Sequence, residues 1–153
     1  MRRKNTTTEM MMGYMCSALL ELMLEKDYAK ISIGEIAKKA GVDRSSYYRH
    51  FKSKEDIISF FFDMVLKESL DGFTNLSSID FTLYIHSIYM AFYNYKKEVL
   101  LIYRSNLSSL LLDVLSKRFQ FSEIAIEFPL TKQYELSYII GGIYNNLIFW
   151  MSR

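Results

Sequence analysis

Residues 31–57, ISIGEIAKKAGVDRSSYYRHFKSKEDI, constrain the fold more than any other stretch, because three helix starts and one helix stop fall within so short a span. Ser32 and Glu35 have the spacing of a capping box, in which each side chain satisfies a free amide at a helix start. Ile33, Ile36, Ala37 and Ala40 then fall on one face at helical period, with Glu35, Lys38 and Lys39 on the other. Gly41 suits a left-handed backbone that a side chain opposes, so the helix is expected to stop there and turn, with Val42 plugging the turn. Asp43 caps a second, mostly polar helix through Arg44, Ser45, Ser46, Tyr47, Tyr48, Arg49 and His50. Two helices meeting at such a turn need a small residue at the crossing and an apolar lock, roles for which Ala37 and Tyr47 are placed. Ser53 with Asp56 opens a third helix at once, with Phe51 beneath the junction.

The residues left outward on the second helix are Arg44, Ser45, Ser46, Tyr48 and Arg49, with Lys52 and Lys54 close behind. Arginine can donate two parallel hydrogen bonds to guanine, and serine can bond bases or phosphates. Lysine, tyrosine and a helix N-terminus suit phosphate oxygens. Arg44 is the foremost candidate for a base contact, and Ser32, at the start of the first helix, joins the candidate DNA contacts. Tyr48 has a second reading as a core ring, and His50 as a junction residue.

On these residues, IAKKAGVDRSSYYRHFKSKEDI resembles the DNA-binding motif of the tetracycline-repressor (TetR) family of bacterial regulators. The shared features are Ile36, Ala37, Ala40, Gly41, Val42, Tyr48, Phe51, Lys52, Ser53 and Lys54. The resemblance implies an all-α fold, with a three-helix DNA-binding domain over 1–54 and a helical ligand-binding and dimerisation domain over 55–153. It places Arg44, Ser45, Ser46, Tyr48, Arg49 and His50 at the groove and Lys54 on backbone phosphate. Gly34 departs from the pattern, since many relatives carry a longer polar side chain there, and no contact is expected from it.

Charge agrees with this division. The net charge is only +2, far from that of a nonspecific nucleic-acid binder, but its distribution is uneven. Up to Lys54 there are eleven basic residues against six acidic ones, and beyond it eight against eleven. The opening residues, RRKNTTTEMMMGYMCSALLELML, put basic residues before an apolar run, as a secretory signal does. Glu9 and Glu21 interrupt that run, and Met15, Leu19, Leu22 and Met23 recur at helical spacing. An amphipathic first helix is expected, preceded by a flexible basic arm of Arg2, Arg3 and Lys4 that either touches phosphate or is simply disordered. No apolar run reaches a membrane span, and the single Cys16 has no internal disulfide partner, so a cytoplasmic location is expected. Cys16 reads as a small core residue.

Beyond Lys54 the pattern predicts a connecting helix from Lys54 to about Leu70. It carries Ile57, Ile58, Phe61, Met64 and Val65 inward and ends at Gly72. Further amphipathic helices are expected over about 79–95, 98–105, 107–119 and 132–151, with Pro129 in the connection before the last. This half is rich in rings: Phe81, Tyr84, Tyr89, Phe92, Tyr93, Tyr95, Tyr103, Phe119, Phe121, Tyr138, Tyr144, Phe149 and Trp150. Most are expected in the core. By the resemblance this half holds a pocket for a small hydrophobic or aromatic effector, with His86, Tyr89, Tyr93 and Tyr103 as candidate lining. His86 has a structural, hydrogen-bonded reading as well.

The last helix, YELSYIIGGIYNNLIFWMSR, resembles the family's dimerisation helix. Ile139, Ile143, Leu147 and Trp150 are its candidate interface residues, and Gly141 and Gly142 permit close approach, with a buried core helix as the other reading. The expected partners are a near-palindromic double-stranded DNA operator and a second copy of the chain, with no membrane. Relatives commonly continue past this tryptophan with another helix, so the regulatory half is expected to be a truncated or short variant. No phosphate-binding glycine loop, nucleophile elbow or paired carboxylates appear, so no enzyme activity, cofactor or metal is expected. Two functions follow: a ligand-controlled repressor, or a DNA-tethered adaptor whose aromatic half holds a partner protein. A buried cavity favours the first and a large exposed apolar patch the second.

Overall fold

The structure, a computed structural model, describes residues 2–70, 81–120 and 130–153, and among these every regular element is helical. The expected all-α class is observed. Gly72, Ile79, Phe121 and Pro129 lie outside the described residues. The chain divides into two compact units, 1–61 and 62–153.

The first unit contains α1 (Arg2–Glu25), a 3-10 turn (Tyr28–Lys30), α2 (Ile33–Ala40), α3 (Arg44–His50) and the opening turns of α4 (Lys54–Leu70). Its core gathers Met15, Leu19, Leu22 and Met23 from α1 with Ile36, Ala37, Tyr47, Phe51, Ile57 and Ile58, all buried. Burial of each large apolar side chain contributes about 1.5 to 3 kcal/mol, so this unit rests mainly on the side chains that α1 and the first turns of α4 bury together with those of the two short helices. Cys16 is buried among these residues, as expected, and the loss of water pushes its thiol pKa up to about 12. The expected basic arm is corrected: α1 already begins at Arg2, and no glycine or proline interrupts it before Gly13.

Lys39, exposed on the polar face of α2, reaches α1, with its ammonium 2.8 Å from Glu25 and 3.4 Å from Glu21. Those carboxylates are one turn apart on α1, so a single lysine engages both.

The second unit holds the rest of α4, then α5 (Phe81–Asn94), α6 (Lys96–Arg104), α7 (Ser109–Gln120) and α8 (Leu130–Met151). Helix α8 packs on α6 and α7, and α5 on α6. The core is largely aliphatic: Val65, Leu66, Ile88, Val99, Ile102, Leu111, Leu115, Ile140, Ile143 and Leu147 are buried, together with Phe62 and Phe92. Polar contacts tie α4 to its neighbours, with Arg118 Nη1 3.1 Å from Asp63 and the Tyr95 hydroxyl donating to Glu68 at 2.8 Å. Asn106 ends α6 in the left-handed region at φ 60°, while the amides of Asn106 and Leu107 donate back to Tyr103 and Ile102.

Two expectations about this half are corrected. Met64 is only half-buried, while Phe62 and Leu66 join Ile57, Ile58, Phe61 and Val65 inside, because α4 is apolar on more than one face. Among the rings whose side chains the structure describes, most are not fully buried: Tyr93, Tyr138 and Phe149 are exposed and Tyr84, Tyr89, Tyr95, Tyr103, Tyr144 and Trp150 half-buried, while Phe81, Phe119 and Phe121 lie outside the described side chains. Phe62 and Phe92 share the inward positions with the aliphatic residues, and these other rings take what remains.

Candidate nucleic-acid interface

The local structure of 31–57 follows its sequence closely. The Glu35 amide donates to Ser32 Oγ at 3.3 Å, while the Ser32 amide and hydroxyl donate to the Glu35 carboxylate at 2.9 and 2.8 Å. Lys26 forms a charge-paired hydrogen bond with the same carboxylate, and together these contacts hold its pKa down to about 2. Gly41 stops α2 at φ 67°, its amide donating to Lys38 and that of Val42 to Ala37. Asp43 caps α3 by accepting the Ser45 amide at 2.8 Å, which lowers its own pKa.

Helix α3 is held from beneath by rings. Tyr47 is fully buried, its ring edge-on to Tyr48 at 5.2 Å and tilted against Phe51 at 6.0 Å, and Phe51 in turn meets Phe60 at 6.0 Å. The start of α4 is reciprocally capped, since the Asp56 amide donates to Ser53 Oγ at 3.2 Å and the Ser53 amide to Asp56 at 3.0 Å. The Lys52 amide adds a donor to the same carboxylate at 2.8 Å. These contacts fix the angle at which α3 is presented.

On its outer side α3 exposes Arg44, Ser45, Tyr48 and Arg49, with Ser46 and His50 half-buried and Lys52 exposed just past its end. Tyr48 points outward with 57% of its surface exposed, so of its two readings the outward one holds. Arg44 Nη2 donates to the Tyr48 hydroxyl at 3.0 Å, and the guanidinium lies 5.6 Å from the ring centre. Cations, hydroxyls and an aromatic ring on one capped helix make a surface suited to phosphates and base edges together.

Two of the proposed contacts are engaged within the domain. Lys54 is half-buried and donates to the carbonyl oxygens of Tyr28 and Ile31, each at 2.8 Å. The Ser32 hydroxyl has its one proton committed to Glu35. Tyr28 escaped sequence reasoning altogether. Its hydroxyl donates to Glu55 at 2.8 Å, and burial followed by that hydrogen bond raises its pKa. Its isolated position in a polar connection carried no periodic signal.

In the second unit the candidate lining residues separate. His86 and Tyr93 are exposed, while Tyr89 and Tyr103 are half-buried. Tyr93 lies 5.9 Å from the ring of Trp150, over which Lys96 sits at 5.0 Å. Among the candidate dimer residues, Ile143 and Leu147 are buried in the core of their own chain and cannot supply intermolecular contact, which corrects that assignment. Ile139 and Trp150 are half-buried, and the open side of α8 carries Tyr134, Tyr138, Gly142, Asn145 and Phe149. Among the described residues no helix is long and apolar enough to cross a membrane.

Comparison with known proteins falls on the same stretch. Residues 16–59 match the family described as bacterial regulatory proteins, tetR family. The chain is 37% identical over 54 residues to the HTH-type transcriptional regulator EthR of Mycolicibacterium smegmatis, covering 35% of this chain and 25% of that protein. It is 34% identical over 62 residues to the uncharacterized HTH-type transcriptional regulator YxbF of Bacillus subtilis, covering 40% of this chain and 16% of that protein. The matched stretch therefore spans a quarter or less of these curated relatives. No solved structure matches the chain.

Proposed function

We propose that the chain is a sequence-specific DNA-binding repressor of the bacterial tetR family, whose description residues 16–59 match, and that a small effector releases it. The observation that carries this reading is α3, a helix capped at its start, locked from beneath by Tyr47 and Phe51, and turning Arg44, Ser45, Tyr48 and Arg49 outward. In this reading α3 enters the major groove, Arg44 reads guanine, Ser45, Ser46, Arg49 and His50 complete the groove contacts, and Lys52 meets phosphate. Lys54 acts chiefly inside the domain, fixing the turn before α2.

The working unit is a homodimer on a near-palindromic operator, acting in the cytoplasm. The open row of α8, Tyr134, Tyr138 and Phe149 around Gly142, is the surface on which a second copy packs. Nothing lies within 4 Å of a side chain built at Gly142, so a partner can approach the backbone there. Tyr89 and Tyr103 are the interior-leaning candidates for effector contact, and a hydrophobic or aromatic molecule suits them.

The test is selection of bound sequences from a random DNA library at two salt concentrations. An enriched near-palindrome with half-sites about one helical turn apart supports the reading. Binding without sequence preference that vanishes as salt rises defeats it.

A further inference from the structure

We infer that Tyr48 is a positioning residue for base reading, bracing Arg44 so that one edge of its guanidinium is presented to the base. This rests on the DNA-reading role of α3 proposed above. Arg44 is the first residue of α3 and Tyr48 stands one turn further on, so helical geometry alone stacks the two side chains. They meet twice, through the 3.0 Å hydrogen bond from Arg44 Nη2 to the Tyr48 hydroxyl and through the guanidinium lying 5.6 Å from the ring centre.

The brace is itself supported. Tyr48 stands perpendicular to Tyr47 at 5.2 Å between ring centres, and Tyr47 is fully buried beneath Phe51 and the start of α4. A path of packed rings therefore runs from the core to an arginine that is otherwise solvent-exposed. An unbraced arginine surrenders rotamer freedom when it docks, whereas a braced one has surrendered part of it beforehand.

The donor count allows both tasks at once. A guanidinium has five N–H groups, and after one is given to Tyr48 a bidentate edge remains for guanine O6 and N7. The Tyr48 hydroxyl accepts from Arg44 and keeps its own proton, which it can donate to a phosphate oxygen. A cationic donor polarises that hydroxyl and strengthens the second bond. Base edge and backbone are then gripped by one connected unit, so the register of the helix on the backbone and the choice of base are coupled.

The experiment uses the full chain and the selected operator, together with operators altered at the base pair where Arg44→Ala loses discrimination. Affinities are measured for the wild type, Tyr48→Phe, Arg44→Ala and the double variant. Tyr48→Phe keeps the ring and loses only the hydroxyl. Its discrimination at that pair is expected to fall about three- to tenfold, the scale of one hydrogen bond, with the double variant discriminating no worse than Arg44→Ala alone. Thermal melting of each variant confirms folding. An equal loss of affinity for every operator, with discrimination intact, makes Tyr48 a phosphate contact only and overturns the inference. So does a Tyr48→Phe protein that binds and discriminates like the wild type. A wild type without sequence preference overturns the DNA-reading role as well, so the two failures are distinguishable.

Discussion

The ammonium of Lys54 lies 4.4 Å from the centre of the Tyr28 ring and donates to the Tyr28 carbonyl oxygen at 2.8 Å, joining the first turn of α4 to the 3-10 turn that precedes α2. The same ammonium also takes the Ile31 carbonyl, one residue before the cap of α2. One lysine thus holds together the chain segments that flank the helix-turn-helix.

Lys54→Met keeps the aliphatic stem and removes the donors, leaving two carbonyl oxygens without this partner. Stability is expected to fall by about 1 to 3 kcal/mol, read as a lower urea midpoint. An unchanged midpoint, with weaker and less salt-dependent DNA binding, returns Lys54 to a phosphate role.

The two glycines around α2 are predicted to respond in opposite directions. Gly41 has φ 67°, where a side chain is strained, so Gly41→Ala is expected to destabilise by about 1 to 2 kcal/mol. Gly34 is helical and exposed, and a Cβ there meets only Ser32 Oγ at 3.9 Å. Gly34→Ala is expected to stabilise by about 0.5 to 1 kcal/mol. Thermal melts of the two variants on either side of the wild type check both signs at once.

Tyr47 is predicted to be worth more as a phenylalanine. Its ring is fully buried, and its hydroxyl has no hydrogen-bond partner among the described residues. Removing that hydroxyl relieves a desolvated polar group without opening a large cavity. Tyr47→Phe is expected to raise stability by about 1 kcal/mol in denaturant melts. A fall of that size reveals a hidden hydrogen bond.

Acid sensitivity is predicted to run through Glu35. Its folded pKa is depressed to about 2 from 4.5, first by the hydrogen bond from Lys26 and then by those from Ser32. A depressed carboxylate pKa contributes stability that is present above the unfolded value and is lost as pH falls through the folded one. Melting temperature is therefore expected to drop between pH 4.5 and about 2. Glu35→Gln should flatten that part of the profile, and an unaltered slope removes Glu35 from the account.

Cys16, with its thiol pushed up to about 12 by burial, is expected to resist alkylation at neutral pH while the protein is folded and to react in denaturant. Rapid native-state labelling contradicts its core position.

The helix-turn-helix is legible in the sequence because its signals are local. The Ser32–Glu35 box, the Gly41 stop, the Asp43 cap and the Ser53–Asp56 pair each act within four residues, and each is present in the fold. Polar residues between such caps face outward, so Arg44, Ser45 and Arg49 could be assigned to a surface without knowing what lay behind it, whereas Tyr48 kept a core reading until its exposure in the fold decided the matter.

The helical half was less legible, because an apolar residue at helical spacing states that a face is buried but not which of two faces. Ile143 and Leu147 suit a dimer seam and a core equally well by pattern, and α6 and α7 claim them for the core. Tyr138 looks like core by composition, yet it is 84% exposed.

From its sequence alone this protein is a chain of helices with a capped helix-turn-helix whose outer face carries cations and hydroxyls. Capping, chirality and period are set by neighbours in the chain. Only tertiary structure decided that Lys54 turns inward to Tyr28 and Ile31, that Lys39 spans Glu21 and Glu25, and that Tyr134, Tyr138 and Phe149 of α8 face outward. A long side chain chooses its partner by which groups the packed helices bring within reach, and that choice exists only once the helices have packed.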